Sequence, residues 1–304
     1  HMIYYKKLVP SEHRKITLYE MLMIHLVFGI ILATGCTPTM VEETTQFEIA
    51  DTFSRSGTAE VPDKWWTEFN DEQLNSLVDS ALTSNFSVRQ SYFRIQESQA
   101  TVRTAKSNLY PQVEGVSQAA ANFPQPDFVG GENVRLGVRA SYEVDLWGRI
   151  NAQADAAVFR YEANIYDYQS ASLSLSAEIT NAWFSYISIV EQQKIVQEQI
   201  KNNENILESL KNRYAGGQIQ SIDILRQQQL IKGLENQLLS LVNQENTTHN
   251  QLSLLLGKSP QTQLTLELDS LPDVKPLPDI DSAQQVLSRR PDVRAAMSSL
   301  KAAD

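Results

Sequence analysis

Apolar positions along this chain follow two periods, and the change between them divides it into elements. Over residues 71–84, Leu74, Leu77, Val78, Ala81 and Leu82 lie three and four apart, which predicts a short helix with one apolar stripe. Trp65 and Trp66 stand just ahead of it as packing anchors. Over 87–109, Val88, Ile95, Val102 and Leu109 fall seven apart, with small Ser91, Ser98 and Ala105 on the companion track. That pattern predicts a second helix packed close beside another and stopped by Tyr110-Pro111. Beyond Pro111 the period drops to two. Val134, Leu136, Val138, Ala140, Tyr142, Val144 and Leu146 alternate with Arg135, Gly137, Arg139, Ser141, Glu143, Asp145 and Trp147, predicting a strand with two unlike faces. A weaker strand over 112–122 precedes it, and the Pro, Asp and Gly residues of 124–131 connect the two into a hairpin spanning 112–147. Both runs are long enough for a tilted membrane strand of roughly 9 to 11 residues. A soluble hairpin with one wet face accounts for the alternation equally well.

Residues 150–215 contain neither Gly nor Pro, and as one helix they would reach roughly 100 Å at 1.5 Å per residue. Ile189, Gln193, Val196, Ile200, Asn203, Leu207, Leu210 and Tyr214 alternate steps of three and four, a coiled-coil seam with polar interruptions. Gly216-Gly217 ends this helix. Ser221 is the expected N-cap of a return helix over 221–256, whose seam runs Ile224, Gln227, Ile231, Leu234, Leu238, Leu241, Glu245, Thr248, Leu252 and Leu255, with Gly257 and Pro260 behind. At ~53 Å, this helix placed end to end with the ~35 Å helix of 87–109 nearly matches the long one, so one long helix should lie along two short ones. A connector rich in Pro, Asp and Leu then leads to helical character from Ser282. Placing Leu82 on Leu287 also places Val88 on Val293, Arg89 on Arg294 and Ile95 on Leu300. Residues 63–281 therefore read as a first structural repeat and 282–304 as the start of a second, expected to continue past Asp304.

At the other end, Lys6, Lys7, Arg14 and Lys15 precede the apolar run 21–33, which finishes in Thr34, Gly35 and Cys36. This reads as an export signal over 1–35, since ~20 Å of helix falls short of the roughly 30 Å hydrocarbon core. Ala33-Thr34-Gly35-Cys36 resembles a bacterial lipoprotein cleavage site, which would leave an acylated Cys36 as the first mature residue. Thr37 behind it resembles lipoproteins sorted to the outer membrane. Residues 36–62 lack periodicity and suit an extended, lipid-anchored tether.

Composition narrows the chemistry. The 304 residues carry 36 Asp and Glu against 26 Lys and Arg, a formal charge of −10, so no broad basic surface offers itself to nucleic acid. His1, His13 and His25 fall in the predicted signal, leaving His249, and Cys36 is the lone cysteine. No His or Cys metal cluster follows from that set, and neither Gly130-Gly131 nor Gly216-Gly217 has the spacing or lysine of a phosphate loop. Glu143 and Asp145 could form an acid–base pair, but a solvated strand face explains them better. No enzyme, cofactor or metal is expected.

The segment Tyr142-Glu143-Val144-Asp145-Leu146-Trp147-Gly148-Arg149, together with Trp66 and Phe69 before Leu74, Ala81-Leu82 with Asn85, Leu109-Tyr110-Pro111, Arg213-Tyr214 with Gly217, Leu254-Leu255-Leu256-Gly257 and Arg289-Arg290-Pro291-Asp292-Val293, resembles the TolC-like outer-membrane factor family, in particular its lipoprotein branch. The resemblance covers residues 65–304. It implies a mainly α fold with a β-hairpin: long coiled-coil-like helical hairpins forming a periplasmic tunnel, and transmembrane strands contributing to a trimeric β-barrel. It implies a homotrimer in the cell outer membrane, lipid-anchored with a large periplasmic part, that meets outer-membrane lipid, a periplasmic membrane-fusion adaptor and an inner-membrane pump. The turn Gly216, Gly217, Gln218, Ile219, Gln220 and Ser221 would correspond to the adaptor-binding tip, and Glu143, Asp145, Trp147, Gly148 and Arg149 to the strand-to-helix junction. Gating residues would lie past Asp304. The implied function is a passive exit duct for small molecules such as drugs. A type I secretion duct for polypeptides is the alternative within the fold, and a periplasmic adaptor or coiled-coil tether the alternative outside it.

Overall fold

The computed structural model describes Met23 and residues 62–120, 133–266, 271–272 and 282–304. Cys36, the rest of the expected signal 1–35, the tether up to residue 61 and the hairpin connection lie outside the described residues. The chain divides into two compact units, His1–Gln46 and Phe47–Asp304. The helices and strands from Trp65 onward all belong to the second unit.

A 3₁₀ turn, Trp65–Phe69, leads into α1, Glu72–Ser84. Asp71 caps α1 by accepting the Leu74 N–H at 2.8 Å, and its second oxygen accepts the Trp183 indole N–H at 2.6 Å. The apolar stripe Leu74, Leu77, Val78 and Ala81 is buried as its spacing requires. Trp65 and Trp66 meet edge to face, and Trp66, Leu77, Ile179, Trp183, Leu252 and Leu256 share one core. Helix α2, Phe86–Ser107, starts at Asn85, whose side chain accepts the Ser87 and Val88 amides. Its only non-exposed residues are Val88, Ser91, Ile95, Ser98, Val102 and Ala105, the heptad and small-residue tracks read from the sequence. They face the long helix α3, Arg149–Ala215, which runs for 67 residues.

Helix α4, Ser221–Leu255, returns along α3. All ten seam positions expected on it are buried or half-buried, and on α3 all the expected seam except the exposed Tyr214. Ile189, Val196 and Leu241 form the apolar centre of this seam, and polar layers cross it. Gln227 donates to the Asn203 backbone and side-chain oxygens at 3.0 and 2.8 Å, while Glu245 accepts from Tyr186 at 3.2 Å and Gln193 at 2.8 Å. Burial, reinforced by Glu245, raises the Tyr186 phenol above its ordinary pKa.

The end-to-end arrangement of α2 and α4 along α3 is held by a specific clamp. Ser84 Oγ donates to Leu256 O at 2.7 Å and Asn85 Nδ2 to Leu255 O at 2.9 Å, satisfying carbonyls at the end of α4. Gly257 follows in left-handed backbone, φ +68°, and the Lys258 N–H returns to Ser253 O at 2.9 Å. A Cβ at Gly257 would sit 2.7 Å from Ser84 O, so close approach of the two backbones depends on glycine here.

Strands β1, Gln112–Ala120, and β2, Asn133–Ser141, pair antiparallel with Gln112 opposite Ser141 and Val116 opposite Gly137. The expected strand to Trp147 is too long: β2 ends at Ser141, residues 142–145 are irregular and 146–148 form a bend. The cause is the partner. Strand β1 begins immediately after Pro111, so among the described residues no strand remains to pair beyond Ser141. Helix α2 likewise stops at Ser107, short of Leu109, in a tight last turn whose Ser107 carbonyl also accepts Gln112 Nε2 at 2.7 Å.

Residues 282–304 form α5, Ala283–Arg289, and α6, Pro291–Lys301, with α6 packed on α3 and the Arg294 guanidinium 4.1 Å over the Tyr166 ring. The helical run breaks at Arg290 because Pro291 cannot donate an amide. This break repeats the α1–α2 junction: Arg290 (φ −61°, ψ 123°) donates to Val286 O and accepts from the Arg294 amide, as Asn85 (φ −63°, ψ 131°) donates to Ala81 O and accepts from Arg89. These pairs are the ones that superpose in the sequence alignment of the repeat.

Candidate functional site

Two places gather the residues singled out in the sequence. At the strand-to-helix junction, Gly148 occupies the N-cap of α3 in left-handed backbone, φ +76°, without a side chain to cap the helix. Asp145 supplies the cap from three residues upstream: its carboxylate accepts the Ile150 amide at 3.2 Å, the Asn151 amide at 2.9 Å and the Asn151 side chain at 2.8 Å. The Asn151 amide above all, with Ile150, the Asn151 side chain and the charge of Arg149 adding to it, holds this carboxyl below its ordinary pKa against the opposing effect of desolvation. Arg149 donates to Glu143 at 2.6 Å and to Gln153 at 3.3 Å. The structure thus brings Glu143, Asp145, Gly148 and Arg149 together as a brace, with the Trp147 side chain 87% exposed beside it. Glu143 and Asp145 are engaged in this brace, with Arg149 and with the α3 amides.

At the other end of α3, the Gly216 amide donates to Asn212 O, Gly217 to Tyr214 O and Gln218 to Arg213 O at 3.2, 2.9 and 3.0 Å. Gly217 is left-handed, φ +69°. The expected N-cap of α4, Ser221, is instead its first helical residue; Gln220 is the cap, and its amide donates to Asp223 Oδ2 at 3.3 Å. Asp223 sits where it can both stabilise the helix N-terminus and hold the turn, so the cap falls one residue earlier. Ile219 is half-buried and Gly216, Gly217, Gln218, Gln220 and Ser221 are exposed, as are Tyr214, Ile222 and Leu225 around them.

The hairpin above the junction sorts its residues by face. Val113, Gly115, Ser117 and Ala119 lie opposite Ala140, Val138, Leu136 and Val134, forming a face without a charged group. Gln112, Glu114, Val116 and Gln118 lie opposite Ser141, Arg139, Gly137 and Arg135 on the other. The apolar face is bare: Val134, Leu136 and Val138 are 70–79% exposed. Among the described residues no helix is long and apolar enough to cross a membrane, which says nothing of a β-barrel. No group of three His, Cys, Asp or Glu that could hold a metal occurs among them.

A model of the outer membrane efflux protein family matches residues 77–258, well over half of the chain. The chain belongs to the outer membrane efflux protein family. Within this efflux family it is similar to the pyoverdine export outer membrane protein OpmQ of Pseudomonas aeruginosa, with 26% identity over 286 residues covering 89% of this chain and 60% of that protein. It is 25% identical to the toxin and drug export protein A of Aggregatibacter actinomycetemcomitans over 248 residues, 80% of this chain and 54% of that one. The solved outer-membrane channel OprN aligns with a TM-score of 0.73 at 26% identity, over 88% of this chain and 61% of its own. This efflux-family chain therefore spans 54–61% of the length of these relatives. Its fold is that of the family: mainly helical, with long paired helices and a β-hairpin.

The sequence placed the strand-to-helix boundary and the turn between α3 and α4 but gave no sign of the Ser84–Asn85–Gly257 clamp. Gly257 was visible as a helix end and Asn85 only as one of the motif residues, and nothing local says that the two meet.

Proposed function

We propose that this chain supplies part of an outer-membrane channel subunit in a tripartite efflux system, a passive exit duct for small molecules such as drugs. In this reading it works as a homotrimer with a periplasmic adaptor and an inner-membrane pump. The observation that carries the reading is the hairpin, with one wholly uncharged, exposed face and one polar face, standing on a 67-residue helix. An apolar face of this kind suits lipid, and a polar face suits a water-filled lumen. A lone hairpin has edges that lipid cannot satisfy, so further strands must close it into a barrel. The relatives' names, which couple export with pyoverdine, toxin or drug, fit a duct whose cargo is chosen elsewhere.

Cys36 is the proposed lipid anchor, following the signal 1–35. The exposed turn from Gly216 to Ser221, with Tyr214, Ile222 and Leu225 around it, is the proposed adaptor contact.

The test is dye and antibiotic accumulation in cells lacking their own outer-membrane factor and given the full-length gene with its cognate pump and adaptor. Lower accumulation, lost when residues 216–221 are replaced by a Gly-Ser linker, is the expected result. Unchanged accumulation with the protein correctly placed in the outer membrane would turn the reading towards polypeptide secretion. Incorporation of labelled palmitate, abolished in Cys36→Ala, tests the anchor separately.

A further inference from the structure

The two faces of the hairpin differ in charge as well as polarity. Every charged residue of β1 and β2 lies on the polar face: Glu114 on one strand, Arg135 and Arg139 on the other. In a chain with a formal charge of −10 this surface carries two cations against one anion. Arg139 stands opposite Glu114 in register, while Arg135 stands opposite the neutral Gln118. Among the described residues neither arginine takes part in an ion pair within 4 Å. Between them lies Gly137, where an added Cβ would meet nothing within 4 Å, so the polar face is open there. Four residues of strand separate the arginines by ~13 Å, giving a ladder along the strand instead of a single point charge.

We propose that Arg135 and Arg139 form a cationic collar in the barrel lumen that favours anion over cation passage, making them determinants of the duct's charge selectivity. This rests on the duct reading above, in which the polar face lines the water path. Each copy in a closed barrel contributes both guanidinium groups to the same depth range. Charges of one sign around a narrow aqueous path bounded by low-dielectric walls raise the local concentration of counter-ions.

The experiment uses the full-length protein in planar lipid bilayers under a KCl gradient. The chloride-to-potassium permeability ratio is read from the reversal potential for wild type, Arg135→Gln/Arg139→Gln and Arg135→Lys/Arg139→Lys. The ratio should fall by about two-fold or more in the glutamine variant, an effect of focused charge, and return to wild type in the lysine variant. Face assignment is read independently by labelling Arg135→Cys and Leu136→Cys in cells with a membrane-impermeant thiol reagent. Labelling of Arg135→Cys alone, together with the lowered ratio, supports the collar. Labelling of Arg135→Cys with an unchanged ratio in conducting channels overturns the collar and leaves the duct standing. Labelling of Leu136→Cys in place of Arg135→Cys, or absence of conductance in the wild-type protein, overturns both.

Discussion

Gly257 and Gly148 hold similar left-handed backbone, but only Gly257 is crowded, with Ser84 O 2.7 Å from where a Cβ would stand. Gly148→Ala meets open space and should cost only the left-handed conformation, ~1–2 kcal/mol. Gly257→Ala must also push the α1–α2 junction away from α4 and should cost about 2–4 kcal/mol. Denaturant unfolding followed by circular dichroism would separate the two; equal losses would mean that the contact at Ser84 yields freely. Asp145 shows a different kind of dependence. Because its folded pKa is lowered, its stabilising effect is present above the ordinary carboxylate value and is lost as the pH falls through the lowered one. Asp145→Asn should therefore flatten the loss of stability as the pH falls below the ordinary carboxylate range, relative to wild type, in thermal melts at decreasing pH. Neither effect is legible from residue type alone: a glycine and an aspartate occur at turns everywhere, and only their neighbours distinguish these two.

Periodicity carried most of the information about the elements. The seams of α2, α3 and α4 lie where steps of three, four and seven place them, because a helix repeats its own geometry whatever it packs against. Ends were less legible. Strand β2 stops at Ser141 although its alternation continues to Leu146, since a strand needs a partner and β1 begins only after Pro111. The α1–α2 junction gives the element-scale prediction. Asn85→Ala removes the cap of α2 and the donor to Leu255 O together, and should lower stability by about 1–2 kcal/mol. Asn85→Asp keeps the cap acceptor without the donor. If both variants unfold with wild type, the clamp does not hold α2 and α4 in line.

For the molecule as a whole, the decisive feature is a hairpin whose uncharged face is left bare by the rest of the described chain. If that face meets lipid, Leu136→Arg in the full-length protein should destabilise the membrane-embedded form by about 2–4 kcal/mol. In the proposed homotrimer the substitution would show as less heat-resistant trimer on gels of outer-membrane fractions. The polar-face substitution Gln118→Glu, opposite Arg135, should leave trimer yield near wild type. Equal losses for the two would argue that the hairpin faces water on both sides. The candidate sites were partly legible at this scale. Gly216-Gly217 stands out as an interruption of period and the 142–149 segment as a family-like motif, whereas their capping roles depend on where the chain turns in space.

The amino-acid sequence by itself determined the helices, their seams and the two-faced hairpin, because each follows from a period shorter than the element that carries it. Tertiary structure decided what lies between periods. It set the end of β2 by the start of its partner, assigned the α3 cap to Asp145 and the α4 cap to Gln220, and joined Ser84 to Leu256 across 172 residues of chain. Those outcomes rest on donors and acceptors brought together from separate segments, and no local pattern records which segments meet.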